Sequence, residues 1–259
     1  MLEIDIVRVD VAAGRTEKKT DYVAEERPLH LFLNRTRYAT IFCSPSNLKE
    51  LAIGHVISEG IIKSVEEIER ISLKDEVCRI CLKENVDIEK RLKLSQRFSR
   101  VILSACGRES PFLPQPHLAR IRSDLRVKAK TVLDAVHNLN SIGETYRKTG
   151  GVHVAALYKS DGAVMALAED VGRHNAVDKV IGIGALGGVD FGECFLALSG
   201  RLTGDIVSKA AIVNLPVVAS LAAAIDSGIN LARNVDLTLI GFVRGKRMNV
   251  YTLPERISI

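Results

Sequence analysis

The stretch "CFLALSGRLTGDIVSKAAIVNLPVVAS", residues 194–220, decides the fold class. Cys194 to Leu198 is an unbroken apolar run, and a strand with that composition is buried on both faces. Gly200 and Gly204 loosen the chain, "LTGDIVSKAAIV" reads as a helix, and "PVVAS" is a second apolar strand. Working outward, "LAAAIDSGINLARN" (221–234) reads as a helix and "LTLIGFV" (237–243) as a strand. That strand turns through Arg244-Gly245-Lys246 into "RMNVYT". Upstream, "TVLDAVHNLNSIGETYRKTG" (131–150) reads as one helix. "VHVAALYKSDGAVMALAE" reads as a hairpin turned by Ser160-Asp161-Gly162, and "GRHNAVDKVIGIGAL" (172–186) as a helix. Strands and helices in turn, with strands buried on both sides, predict a three-layer α/β/α sandwich.

The N-terminal part has a different rhythm. "EERPLHLFLNRTRYATIFCS" alternates with period two and reads as two strands around Asn34-Arg35. "SPSNLKELAIGHVISEGII" reads as a helix with Ser46 as its N-cap, placing Leu48, Leu51, Ala52, His55 and Val56 on one face. "EIERISLKDEVCRICLKENVDIE" is a further hairpin, and "RVILSAC" is a short strand that runs into a loop. Pro111, Pro114 and Pro116 then interrupt regular structure, and Arg120, Arg122, Arg126, Lys128 and Lys130 form a solvated basic run. The expected organisation is an N-terminal α+β domain over 1–104, a loop and linker over 105–130, and the α/β/α domain over 131–259.

The 259 residues are 47% hydrophobic, enough for one large core with a smaller companion. No apolar stretch is long enough to span a bilayer, and "MLEIDIVRVD" lacks the basic start and apolar block of a secretion signal, so a cytoplasmic protein is expected. Net charge is +5, which suits an anionic ligand; with 5% aromatics and no Trp, platforms for stacking bases are scarce, and nucleic acid is not expected. The five cysteines, Cys43, Cys78, Cys81, Cys106 and Cys194, are an odd number in a mid-sized chain, which favours reduced thiols.

Several motifs carry chemistry, and each has a plainer reading beside it. Cys78-Arg-Ile-Cys81 lies on a predicted strand, where residues three apart face opposite ways, so it is neither a redox pair nor half a zinc site. Cys43 and Cys194 read as core. Gly182-Ile-Gly184-Ala-Leu-Gly187 has dinucleotide-fingerprint spacing but follows a helical pattern, so the glycines are read as ending that helix. "LSGRLTGD" (198–205) is a strand-to-helix turn with Arg201 beside it, either a phosphate cradle or a plain turn. "EDVGRHNAVDK" gathers Glu169, Asp170, Arg173, His174, Asn175, Asp178 and Lys179 beside His153 and reads as the wall of a polar pocket. "FVRGKR" places Arg244, Lys246 and Arg247 on a tight turn, a charged hairpin tip or a fork for a phosphate or guanine-type ligand. Cys106 has Gly107 and Arg108 after it, as a reactive thiolate would want, while Glu109 opposes; reactive and structural readings both stand.

These segments together, "ERPLHLFLN", "NLKELAIGHVISEGII", "SACG", "TGGVHVAAL", "EDVGRHNAVDKVIG", "LSGRLTGDIVSKAA", "LPVVAS" and "FVRGKRMNVYT", resemble the FdhD/NarQ family of formate dehydrogenase accessory proteins, from about Glu26 to the C-terminus. The resemblance implies a core similar to the cytidine deaminase fold. It implies a sulfurtransferase: a cysteine desulfurase hands a sulfane sulfur to Cys106, and the persulfide passes it to a molybdenum bis(molybdopterin guanine dinucleotide) cofactor before insertion into formate dehydrogenase. That cofactor is bound as substrate, and no metal is held directly by the protein. Phe242, Val243, Arg244, Gly245, Lys246 and Arg247 match the segment the family associates with the guanine dinucleotide. A homodimer is implied too. Glu109 stands where many members have a second cysteine, so the implied cycle runs on one thiol. "LSGRLTGD" holds no cysteine pair, which argues against a zinc deaminase. A non-catalytic chaperone that binds the cofactor or the apoenzyme is the alternative.

Overall fold

The computed structural model describes residues 1–88, 91, 100–102 and 118–259. Strands β1 (Leu2–Asp10) and β2 (Arg15–Val23) form an antiparallel ribbon. Strands β3 (Arg27–Leu33) and β4 (Thr36–Cys43) follow, turning at Asn34-Arg35 as the period-two pattern predicts. After helix α1 (Leu48–Ser58) come the hairpin β5 (Ile68–Lys74) and β6 (Val77–Leu82) and the short strand β7 (Arg100–Ile102). These strands form a five-stranded sheet in the order β5-β6-β3-β4-β7. The cap of α1 is not Ser46 but Asn47, whose φ of +53° is a left-handed conformation that Asn tolerates.

Beyond residue 118 the basic side chains Arg120, Arg122, Arg126, Lys128 and Lys130 are exposed, while Ile121, Leu125 and Val127 between them are buried. Strand β8 (Val127–Lys128) leads into α2 (Ala129–Ile142) and α3 (Glu144–Thr149). The sequence predicts one helix here; the chain breaks at Gly143. The Glu169 carboxylate accepts from the amides of Thr145 (3.0 Å) and Tyr146 (2.6 Å), which caps the start of the second helix.

The remaining elements are β9 (His153–Lys159), β10 (Val164–Asp170), α4 (Arg173–Leu186), β11 (Cys194–Leu198), α5 (Gly204–Ile212), β12 (Val217–Ser220), α6 (Asp226–Asn234), β13 (Thr238–Arg244), β14 (Arg247–Val250) and β15 (Ile257–Ser258), which pairs with β8. They build a six-stranded mixed sheet, β10-β9-β11-β12-β13-β14, in which β11, β12 and β13 run parallel. Helix α6 starts at Asp226 rather than Leu221, because the backbone of 221–225 is committed elsewhere. Ala223 O accepts from Leu202 N, and Ile225 N donates to Leu202 O.

The alternation of the buried strands sorts their side chains onto two faces. Val154, Ala156, Phe195, Ala197, Val217 and Ala219 meet Val132, Ala135, Val136 and Leu139 of α2. Ala155, Leu157, Leu196, Leu198 and Val218 meet Val177 and Val180 of α4 and Ile206 and Val207 of α5. The fold is therefore α/β, with helices on both faces of the larger sheet. The second core continues without interruption into Leu29, Leu31, Ile41, Leu51 and Val56 of the N-terminal part. Among the described residues no helix is long and apolar enough to cross a membrane.

Helix α1 meets α4 backbone to backbone. A Cβ on Gly54 would lie 1.7 Å from Asp178 O, and one on Gly182 would lie 1.9 Å from Glu50 O. Gly182 and Gly184 are thus interior packing positions, and only Gly187 ends α4. Gly182→Ala is expected to lower the unfolding free energy by about 3 kcal/mol, because backbone rather than a pliable side chain must move. Urea titration of the purified variant measures it.

Candidate functional site

In an open α/β sheet the ligand crevice lies outside the carboxyl ends of the parallel strands. Here β11 ends into Ser199-Gly200-Arg201, β12 at Ser220, and β13 enters the hairpin to β14. Ser220 Oγ donates to Gly200 O at 2.6 Å and accepts from Ala222 N at 3.0 Å, fixing both turns together. Ser199 Oγ accepts from Val154 N at 3.1 Å and lies 3.2 Å from His153 Nδ1. The Arg173 side chain lies along Gly200, where a Cβ would come within 2.8 Å of Arg173 Cβ. His174 Nε2 lies 3.9 Å from the Asp205 carboxylate, too far for a hydrogen bond. Among the described residues, His174 Nε2 and Thr203 Oγ1 are buried atoms with no hydrogen-bond partner.

This corner is positive, and its imidazoles are neutral. Burial, then the Arg173 and Arg201 guanidiniums, push His153 below the ordinary histidine range. Burial, then Arg173 and Lys209, bring His174 down to about 3, against an opposing pull from Asp178. Two guanidiniums, two neutral imidazoles and the hydroxyls of Ser199 and Thr203 make a crevice suited to an anion.

The segment "EDVGRHNAVDK" divides between this crevice and the interior. Only Arg173 and His174 face the crevice. Glu169 is spent on the start of α3. Asp170 is fully buried; it accepts from Ser44 N, Gly172 N and Asn175 Nδ2 and pairs with Lys179 Nζ at 2.7 Å. Burial pushes its pKa up, and Lys179, Gly172 and Asn175 oppose the push. Asn175 also donates to Phe42 O, and Lys179 to Ser44 O. Asp178 accepts from Ser58 Oγ (2.6 Å) and Lys209 Nζ (2.8 Å) and lies 3.0 Å from His55 Nδ1. Burial works against its charge, yet Lys209 and His55 prevail and hold its carboxyl well below the usual range. The pocket wall expected from sequence is thus mostly a buried polar seam between α4 and the β4–α1 region.

The hairpin residues sit beside the crevice. Phe242 takes a φ of +51° and donates its N–H to Ala222 O at 3.0 Å. Arg244 Nε donates to Leu221 O at 2.9 Å, and its guanidinium lies 5.4 Å from the Phe242 ring centre. Gly245 turns the tip with a φ of +57°, and Lys246 and Arg247 are exposed. Val243 alone points inward; its side chain is fully buried against the α2 side of the sheet.

Cys106 and Glu109 lie outside the described residues. The other four cysteines are free thiols. Burial pushes Cys43 up to about 12 and Cys78 up to about 11, and raises Cys194, so none of these three is a ready nucleophile. Cys78 is buried and Cys81 half-buried on β6, and their thiols stay separate. Among the described residues no group of three or more His, Cys, Asp or Glu side chains is placed to hold a metal ion. The sequence reading singled out His153, Arg173, His174 and Arg201 but not Thr203 or Ser220. A short hydroxyl at the end of "PVVAS" carries no signal until the strands are side by side.

The family model described as the FdhD/NarQ family matches residues 24–258. The chain belongs to this family. It is 37% identical over 258 residues to the sulfur carrier protein FdhD of Methanothermobacter thermautotrophicus, covering 98% of each chain. It is 35% identical over 252 residues to the sulfur carrier protein FdhD of Shouchella clausii, covering 95% of this chain and 94% of that one. Its fold is similar to a crystal structure described as a formate dehydrogenase accessory protein from Desulfotalea psychrophila, with a TM-score of 0.79, 25% identity and 99% of each chain covered. As a member of the FdhD/NarQ family, the chain shares with these relatives the whole length described above.

Two outcomes follow from the charges. Lys209→Met leaves the Asp178 carboxylate buried without its cation and is expected to cost about 3–5 kcal/mol of unfolding free energy in urea titration. His174 binds its proton in the unfolded chain near pH 6.5 but in the fold only near 3. Stability is therefore lost as pH falls through that window and is fully present above it. Urea midpoints measured at about pH 7 and about pH 5 should differ less in His174→Asn than in the unaltered protein.

Proposed function

We propose that this protein is a sulfur carrier that takes a sulfane sulfur from a cysteine desulfurase as a Cys106 persulfide and delivers it to the molybdenum bis(molybdopterin guanine dinucleotide) cofactor before its insertion into formate dehydrogenase. In this reading it acts in the cytoplasm as a homodimer, on a core similar to the cytidine deaminase fold. The observation that carries it is the cationic crevice at the carboxyl ends of β11–β13, flanked by Phe242–Arg247, in a chain whose relatives are named sulfur carriers.

The Cys106 thiolate attacks the outer sulfur of the donor persulfide. A new S–S bond forms, the donor's S–S bond breaks, and the donor cysteine leaves as a thiolate. In the second step the outer sulfur leaves Cys106 for the metal and Cys106 returns to thiolate. Converting sulfane sulfur to sulfide takes an electron pair, supplied by the reduced metal or by a thiol reductant. One thiol completes this cycle, consistent with Glu109 in place of a second cysteine. The inertness of Cys43, Cys78 and Cys194 leaves Cys106 the better candidate. Strand β7 ends at Ile102 beside Ile41, and Cys106 is four residues further on. Four residues reach at most about 14 Å. Ser44, just past β4, is itself bonded to Asp170 and Val171, next to Arg173. Arg244, Lys246 and Arg247 supply charge for the guanine dinucleotide.

Incubation with a cysteine desulfurase and cysteine, followed by mass spectrometric mapping, is expected to find the added sulfur on Cys106. Equal persulfide loading of Cys106→Ala and the unaltered protein would leave the chaperone reading in its place. The triple variant Arg244→Gln, Lys246→Gln, Arg247→Gln is expected to bind guanosine diphosphate at least about tenfold more weakly by calorimetry. Unchanged affinity would remove the hairpin from the binding site.

A further inference from the structure

We infer that the outer face of the five-stranded sheet, carrying Arg37, Arg70, Lys74 and Arg79, is the docking surface for an acidic segment of the cysteine desulfurase that loads Cys106. The inference deepens the proposed function and takes the identity of the partner from it.

Strand register puts the four cations on one face. Leu29, Leu31, Ile41, Cys78 and Ile80 turn inward, to the core that includes Leu51 and Val56 of α1. The alternate positions turn outward. Arg79 lies opposite Ser72 of β5 and Phe32 of β3, Lys74 lies opposite Val77, and Arg37 lies opposite Phe32. Arg70 lies opposite Cys81, on the same side. All four cations are exposed and Phe32 is half-buried, so this face is open to solvent.

Two of the cations are already held in place. The Arg79 guanidinium lies over the Phe32 ring, 4.2 Å from its centre. Arg37 Nη2 donates to Thr40 Oγ1 at 2.7 Å and lies 3.3 Å from His30 Nδ1. A side chain fixed before binding loses less freedom when a partner arrives. None of the four makes an ion pair among the described residues. The neighbouring carboxylates are otherwise placed. Glu25 and Glu76 pair with Arg27 at 2.7 and 3.6 Å, and Glu69 sits in the bulge between Ile68 and Arg70.

Guanidiniums fixed in this way match carboxylates on a partner. Nucleic acid and lipid fit less well. The Phe32 ring already carries Arg79, so it offers no free platform for a base. None of the exposed large apolar side chains lies on this face, so nothing anchors it in a bilayer. Placement favours the sulfur donor over the client. The cofactor crevice belongs to the larger sheet, whereas β7 of this sheet ends four residues before Cys106.

The test compares two sulfur donors on the full-length protein: the cognate cysteine desulfurase with cysteine, and glutathione persulfide, which is too small to need docking. The variants are Arg70→Glu, Lys74→Glu, Arg79→Glu together and the same three positions changed to Gln; thermal unfolding verifies that both are folded. The charge-reversed variant is expected to raise the half-saturating desulfurase concentration at least about tenfold, and the neutral variant less. Loading by glutathione persulfide stays within about twofold in both, and poly-glutamate inhibits only the desulfurase reaction. Unchanged desulfurase loading and binding in the charge-reversed variant overturns the docking surface. Equal slowing with both donors also overturns it, because the charges then act on the thiol. So does loss of single-stranded RNA binding with desulfurase binding retained, which assigns the face to nucleic acid. Desulfurase binding is measured by calorimetry independently of sulfur transfer. If neither donor loads Cys106 while the variants still weaken that binding, the persulfide reading fails and the docking surface stands; no binding by the unaltered protein overturns the docking surface alone.

Discussion

The contact of α1 with α4 through Gly54 and Gly182 is the constraint on which the rest of the structure depends. Without Cβ atoms at these positions the two backbones come within contact distance, and the buried charges of α4 are placed relative to that crossing. Asp178 projects from α4 toward His55 and Ser58 on α1, and Lys209 reaches in from α5. Asp170, Asn175 and Lys179 do the same for the end of β4. A buried pair adds little net stability over an apolar one, but a misplaced one is costly. The seam therefore acts mainly as a register device: it admits one alignment of the N-terminal part against the larger sheet.

That alignment also sets the site. Fixing the middle of α4 fixes its first turn, so Arg173 and His174 arrive at the carboxyl ends of β11 and β12. Asp178 and Lys179 bind inward and Arg173 and His174 face the crevice, although all four lie within two helical turns. Near-neighbours in sequence thus do unlike work because the helix carries them to different sides and depths.

In the proposed cycle the protein combines a fixed, positive crevice with a thiol carried on a different segment. A sulfur donor and a bulky anionic cofactor cannot occupy one place together, so a carrier thiol must visit each in turn. The crevice accordingly gathers charge, and burial raises the pKa of three of the four described thiols, Cys43, Cys78 and Cys194. In that cycle a single carrier thiol avoids internal disulfide formation between the two half-reactions.

Local pattern determined most of the elements. Period-two alternation found β3, β4, β5 and β6, unbroken apolar runs found β11, β12 and β13, and the α/β class followed from their order. It also marked Arg173, His174, Arg201 and the hairpin arginines, because dense charge between apolar neighbours is unusual. What sequence left undecided depended on contacts between distant residues. The break at Gly143 is set by Glu169, the late start of α6 by Leu202, and the role of Gly182 by Glu50. Whether a charged residue of "EDVGRHNAVDK" faces ligand or core was likewise open, because period and charge are the same in both cases. The tertiary structure decided it by supplying or withholding a buried partner, since an ionised group can remain inside a protein only where an opposite charge or a full set of donors meets it.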